Sequence, residues 1–182
     1  YESNFSKWPY VFIPAIIIKR GYAPILHELT HIFAGDYWSL SLREGLADFV
    51  QFYLRPNQRA TMNKKISDFH SETLNLFFKK SPVMKYIGSD QYFFESDNER
   101  VDFYQLSRSF VAFLIDKYGG AKFMALYRTK NGYREIYTKG IGTLKKEWLK
   151  AAATSLTVDD LSKTPFKEPV IYYYWEKLKS LL

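Results

Sequence analysis

Apolar positions along the chain fall first into one short run and then into helical spacing. Val11 to Ile18 is an apolar run of eight residues interrupted by Pro14. With Tyr10 it is β-branched and bounded by Pro9 and by Lys19-Arg20-Gly21, which predicts a short buried strand. Tyr22 to Phe33 then predicts a helix, with Ala23-Pro24 tolerated in its first turn and Gly35 just past its end. A loop from Gly35 to Leu40 leads to a second helix from about Ser41 to Leu54, closed by Arg55-Pro56-Asn57 because Pro56 pushes its predecessor out of helical geometry.

Residues 57–100 carry a weaker pattern: a short helix from Ser71 to Lys80, a break at Ser81-Pro82 and a polar turn at Ser96-Asp97-Asn98. The pattern strengthens again from Glu99 to Tyr118, where Val101, Tyr104, Val111, Leu114 and Tyr118 recur at helical spacing and Gly119-Gly120 supplies the stop. Three further helices are expected at about 121–129, 143–153 and 169–182, with Thr143 as N-cap and Trp148 on the apolar side. No repeat and no long linker divides the chain. Residues 1–182 therefore read as a single domain, mainly α with one strand region, that is α+β at its N-terminal edge.

Composition narrows the chemistry. With 182 residues and 47% hydrophobic content the chain can bury a substantial core. Zero cysteines exclude a disulfide scaffold, a thiolate metal site and a cysteine nucleophile. The eight-residue apolar run falls far short of the roughly 18 residues that cross a bilayer as a helix, so no transmembrane segment is expected. The net charge of +7 is dispersed in pairs such as Lys64-Lys65, Lys79-Lys80 and Lys145-Lys146, the pattern of solvated faces. With no nucleic-acid motif beside it, a nucleic-acid partner is not expected.

The chemistry concentrates at His27-Glu28-Leu29-Thr30-His31, the form H-E-x-x-H within a predicted helix. Residues four apart stack one turn above the other, so the imidazoles of His27 and His31 can converge on one metal ion. Glu28 stands beside that pair, where a zinc hydrolase needs the base that takes a proton from its attacking water. The chain has three histidines, and two of them occupy this spacing.

A zinc site needs a third protein ligand. His70 lies far along the chain in a polar stretch and reads as an ordinary surface histidine, while Asp36 is too close to His31 to reach back without a sharp loop. Glu44, thirteen positions after His31 in Arg43-Glu44-Gly45-Leu46-Ala47-Asp48-Phe49, opens the second helix and can face the histidines. Asp48, four residues on, shares its face and can accept the free N–H of a ligating histidine. Ser41 and Glu44 also have the spacing of a capping box, in which Glu44 would bond backbone instead of metal.

At these residues the sequence resembles the gluzincin metallopeptidases, the group of thermolysin and the membrane alanyl aminopeptidases. The match is H-E-L-T-H followed by R-E-G-L-A-D-F, whose E-G-L-A form looks most like peptidase-MA-like domains. The metzincin pattern, by contrast, fails at Ala34 and Tyr37. The resemblance implies zinc on His27, His31 and Glu44, Glu28 as base, and Asp48 supporting the first histidine. It also matches Tyr104-Gln105-Leu106-Ser107-Arg108-Ser109-Phe110-Val111 to the aminopeptidase segment whose tyrosine faces the zinc, which gives Tyr104 the role of oxyanion donor. Gly142-Thr143-Leu144 through Trp148 resembles the C-terminal helix of such domains.

The implied fold is a zincin-like helical domain: an H-E-x-x-H helix, a second helix with the Glu ligand and a minimal N-terminal strand region. Only 26 residues precede the motif where family members place a larger sheet, so the chain is expected to be a minimal version or a fragment of a longer protein. The implied function is zinc-dependent hydrolysis of a peptide or protein substrate, with an extracytoplasmic location by analogy. The alternative is an inactive gluzincin-like domain that binds a protein partner through Tyr92-Phe93-Phe94 or Tyr172 to Trp175.

Overall fold

A computed structural model describes residues 25–35, 37–53 and 66–155. They form α1 (Ile25–Ala34), α2 (Leu40–Tyr53), α3 (Ile66–Phe78), a 3-10 turn (Pro82–Tyr86), α4 (Asp97–Tyr118), α5 (Gly120–Arg128), α6 (Tyr133–Tyr137) and α7 (Ile141–Thr154). The protein is mainly helical, and no strand occurs among the described residues. The strand expected at 10–18 and the helix expected at 169–182 lie outside them.

The fold is organised around α4. From Leu106 to Leu114 every residue of this helix is buried, so it is enclosed on all sides, as a central helix must be. Its start is fixed by Ser96, whose side chain accepts from the Glu99 N–H at 3.2 Å, and the Glu99 carboxylate reaches back to the Glu95 N–H at 2.7 Å. The polar Ser96-Asp97-Asn98 stretch is therefore the first turn of a helix and its cap. Helices α2, α3, α5 and α7 pack on α4, and its largest neighbour is α2. Phe69, Phe103, Phe110, Phe123, Tyr127 and Trp148 fill the core between them.

Close backbone approach sets the α2–α4 distance. A Cβ on Gly45 would stand 2.5 Å from the Ser107 carbonyl oxygen and 2.8 Å from Val111 Cγ2. Only glycine lets the two helices meet there. A second knot forms at Gly88, whose φ of +73° suits glycine, whose N–H donates to Ser41 Oγ at 2.7 Å and whose carbonyl accepts from the Tyr133 hydroxyl at 2.8 Å. It ties the start of α2 to α6.

Two sequence expectations are corrected and one helix is added. Helix α3 begins at Ile66, ahead of the expected Ser71: Ile66 and Phe69 stand at helical spacing in its first part, and Phe69 is buried. Thr143 is not the cap of α7: the N-cap is Gly140, without a side-chain cap bond, and Thr143 sits in the first turn. Helix α6 was not expected, being short and preceded by Asn131 at φ 55° and Gly132. No helix among the described residues is long and apolar enough to cross a membrane.

Candidate metal centre

Helix α1 carries the H-E-x-x-H segment and lies against α2. The His27 N–H belongs to the first turn of α1, where backbone donors have no partner inside the helix. It donates instead to Gln51 Oε1 of α2 at 3.2 Å, which fixes the height of α1 on its neighbour. Glu44 and Asp48 stand one turn apart on α2, both facing that contact.

The structure brings the three expected ligands together. Glu44 Oε2 lies 3.3 Å from His27 Nε2 and 3.5 Å from His31 Nε2, and one atom from each residue falls within 4.8 Å of the others. The imidazole centroids are 4.7 Å apart with their planes at 89°. Their side chains are 12%, 13% and 6% exposed for His27, His31 and Glu44. Among the described residues no other such group of histidines and carboxylates occurs.

These distances test whether zinc fits. Tetrahedral bonds of about 2.0–2.1 Å place neighbouring ligand atoms about 3.4 Å apart. The two Glu44 distances, 3.3 and 3.5 Å, are that edge length. The donor set also fits chemically, because two imidazoles and one carboxylate leave a fourth position open.

Outer contacts settle which nitrogen of His27 is available. Its Nδ1–H donates to Asp48 Oδ1 at 3.0 Å, so Nε2 points at Glu44. Burial alone would lower the His27 pKa, but the bonds and charges of Asp48 and Glu44 outweigh it and raise it to about 9. Burial would likewise raise Glu44, yet the two histidines and Arg43 hold it down to about 2. In the metal-free chain the pocket thus keeps a positive charge among its carboxylates, the place that a cation would take. His31 is less braced, since its Nδ1 is buried without a hydrogen-bond partner among the described residues.

Glu28 is half-buried on α1, and no hydrogen bond or ion pair among the described residues engages its carboxylate. Tyr104 comes from α4 and stacks on His27, with centroids 6.4 Å apart and planes at 24°. Burial first, then the nearby Glu44 carboxylate, pushes its hydroxyl up to about 12, so it is a proton-bearing donor at neutral pH.

The capping-box alternative for Glu44 is overturned. Ser41 lies inside α2 and its hydroxyl accepts from the Gly88 N–H, while Glu44 faces the histidines. His70 is corrected as well: it is buried, not a surface residue, because Ser109 Oγ lies 3.0 Å from its Nδ1 and Trp148 Nε1 donates to the same hydroxyl at 3.0 Å. It stands apart from the ligand group. Asp36 lies outside the described residues.

Sequence reasoning missed Arg108. Only 3% exposed, it pairs with Asp48 Oδ2 at 3.5 Å and with Glu72 at 2.5 Å. The available signal was the single charged residue in the stretch Phe103 to Leu114. Of the aromatic cluster considered for partner binding, Tyr92 and Phe93 are exposed and Phe94 packs on Phe103 with centroids 5.0 Å apart. Tyr172 to Trp175 lies outside the described residues. Comparison of the chain with protein-family models, curated proteins and solved structures finds no match, so the reading of this centre rests on its own geometry.

Proposed function

We propose that this chain is a zinc-dependent hydrolase, a metallopeptidase with a gluzincin-like centre in a zincin-like helical domain. The observation that carries the reading is that Glu44 Oε2 lies at the ligand separation of tetrahedral zinc from both His27 Nε2 and His31 Nε2, with all three groups within 4.8 Å of one another. When bound, zinc supplies Lewis-acid polarisation of a carbonyl and acidifies water. His27, His31 and Glu44 hold the ion, and Asp48 keeps Nδ1 of His27 protonated so that Nε2 is the ligand atom.

The remaining steps belong to side chains around them. Glu28 takes a proton from the attacking water and delivers it to the leaving nitrogen as the peptide bond breaks. Tyr104, kept protonated and stacked beside His27, donates to the oxygen on which negative charge develops. The substrate is a peptide or protein.

Elemental mass spectrometry of the purified chain and of His31→Ala tests the metal assignment. About one zinc per chain in the parent, lost in the variant, is expected; no zinc after reconstitution would overturn it. Turnover of an unstructured protein library, abolished by a chelator and restored by zinc, then tests hydrolysis. Stoichiometric zinc without any turnover would favour the inactive binding module, with exposed Tyr92 and Phe93 as its contact surface.

A further inference from the structure

Arg108 is the most deeply placed charge near the centre, and three helices meet at it. It projects from α4 between Asp48 of α2 and Glu72 of α3, and its guanidinium carbon sits over the Phe52 and Phe69 rings at 4.5 and 4.9 Å. Arginine is rarely buried unless paired, and here two carboxylates and two aromatic faces fix both its position and its plane.

The two oxygens of Asp48 are divided between partners. Oδ1 accepts from His27 Nδ1 at 3.0 Å, and Oδ2 faces Arg108 NH1 at 3.5 Å. A carboxylate anchored through one oxygen can still turn about its terminal torsion, which has broad wells. Anchoring the second oxygen sets the plane of the group and therefore the direction from which it meets the imidazole.

We infer that Arg108 is a positioning residue for the metal centre: it fixes the Asp48 carboxylate, which in turn aims the His27 imidazole at the ion. The inference rests on reading His27, His31 and Glu44 as zinc ligands. It goes beyond that reading by making a residue that touches neither metal nor ligand part of the site's affinity. A purely structural arginine, neutralising Asp48 and Glu72, would affect folding alone.

Zinc affinity separates the two roles. Dissociation constants are measured by competition with a chromophoric chelator for the parent, Arg108→Gln, Asp48→Asn and the double variant, each checked for helical content by circular dichroism. Outer-sphere partners of ligating histidines are worth about 10–100-fold in metal affinity. Arg108→Gln is expected to weaken zinc binding in that range, and the double variant to bind no more weakly than Asp48→Asn alone, because both changes break one chain of contacts. Should Arg108→Gln fail to fold, the same cycle is run with Arg108→Lys, which keeps the charge but cannot span both carboxylates.

An Arg108 variant that is folded and binds zinc within twofold of the parent overturns the inference. So does a double variant whose loss is the product of the two single losses. If the parent itself binds no zinc, the metal reading falls and this inference with it. A parent that binds zinc beside an unaffected Arg108 variant leaves the metal reading standing and removes only the role of Arg108.

Discussion

Glu28 follows His27 on α1 and Tyr104 stacks on His27, and neither belongs to the proposed ligand set, which makes their substitutions diagnostic. Glu28→Gln keeps the shape and removes the proposed base. It is expected to retain about one zinc per chain while turnover falls by about 10²–10⁴-fold, the range of a lost general base. Normal activity in that variant, measured beside its zinc content, would refute the assignment. Tyr104→Phe keeps the ring that stacks on His27 and removes only the hydroxyl. A loss of about 10²–10³-fold in kcat, with KM and zinc content little changed, is the signature of a donor that acts in the transition state. A change in KM alone would assign Tyr104 to substrate binding instead. The candidate residues of the proposed centre were legible because helical spacing and acid–base logic are local properties: His27, Glu28 and His31 sit within five positions. Glu44 and Asp48 needed only the further step of folding one helix onto the next. Arg108 was not legible, because its meaning lies in contacts with residues 36 and 60 positions away that no local pattern encodes.

Between elements, the centre depends on how closely α2 lies on α4. Glu44 and Asp48 flank Gly45 on either side, so anything that pushes α2 outward at Gly45 also moves a proposed ligand and its support. Gly45→Ala would place a methyl 2.5 Å from the Ser107 carbonyl oxygen and 2.7 Å from its carbon, backbone atoms that cannot rotate away. Overpacking of this kind costs about 1–3 kcal/mol, read as a lower denaturation midpoint, and zinc affinity should fall with it. Gly142→Ala is the matched control. Nothing lies within 4 Å of its Cβ and it sits in α7, so it should leave zinc affinity unchanged and stabilise the chain by up to about 1 kcal/mol. Equal effects at the two glycines would dissociate helix spacing from the site. At this scale the sequence was readable where apolar residues recur at helical spacing and punctuation is strong: α2 and α4 begin and end within two residues of expectation. It failed at the start of α3, where Ile66 and Phe69 are the sole apolar residues before Leu74 and the buried positions between are taken by His70 and Thr73. A polar residue satisfied by a partner on another helix is indistinguishable, in sequence, from one satisfied by water.

That same histidine couples packing of the whole molecule to pH. His70 on α3, Ser109 on α4 and Trp148 on α7 form one buried polar chain through the core, Trp148 donating to Ser109 and the hydroxyl in turn meeting His70. Burial holds the His70 pKa down at about 4, against an ordinary 6.5, with Asp116 opposing the shift. The unfolded chain therefore binds a proton between these values and the folded chain does not, so stability present above about 6.5 is lost as pH falls toward about 4. The full effect is on the order of 3 kcal/mol. In the metal-free protein the depressed carboxylates Glu44 and Glu147 add their own loss at the acid end of that window, so His70 is read in its part above about 4.5. His27, raised to about 9, stays protonated throughout it, and Glu44, held at about 2, adds its own loss only below its ordinary value of 4.5. Denaturant midpoints of chelated protein measured across that part of the window should accordingly fall with acid in the parent. His70→Asn, less stable at neutral pH through lost packing, should show a nearly flat profile over the same range. An unchanged acid slope in that variant would place the proton uptake elsewhere, and the three-helix junction at Ser109 would then hold the core together without sensing pH.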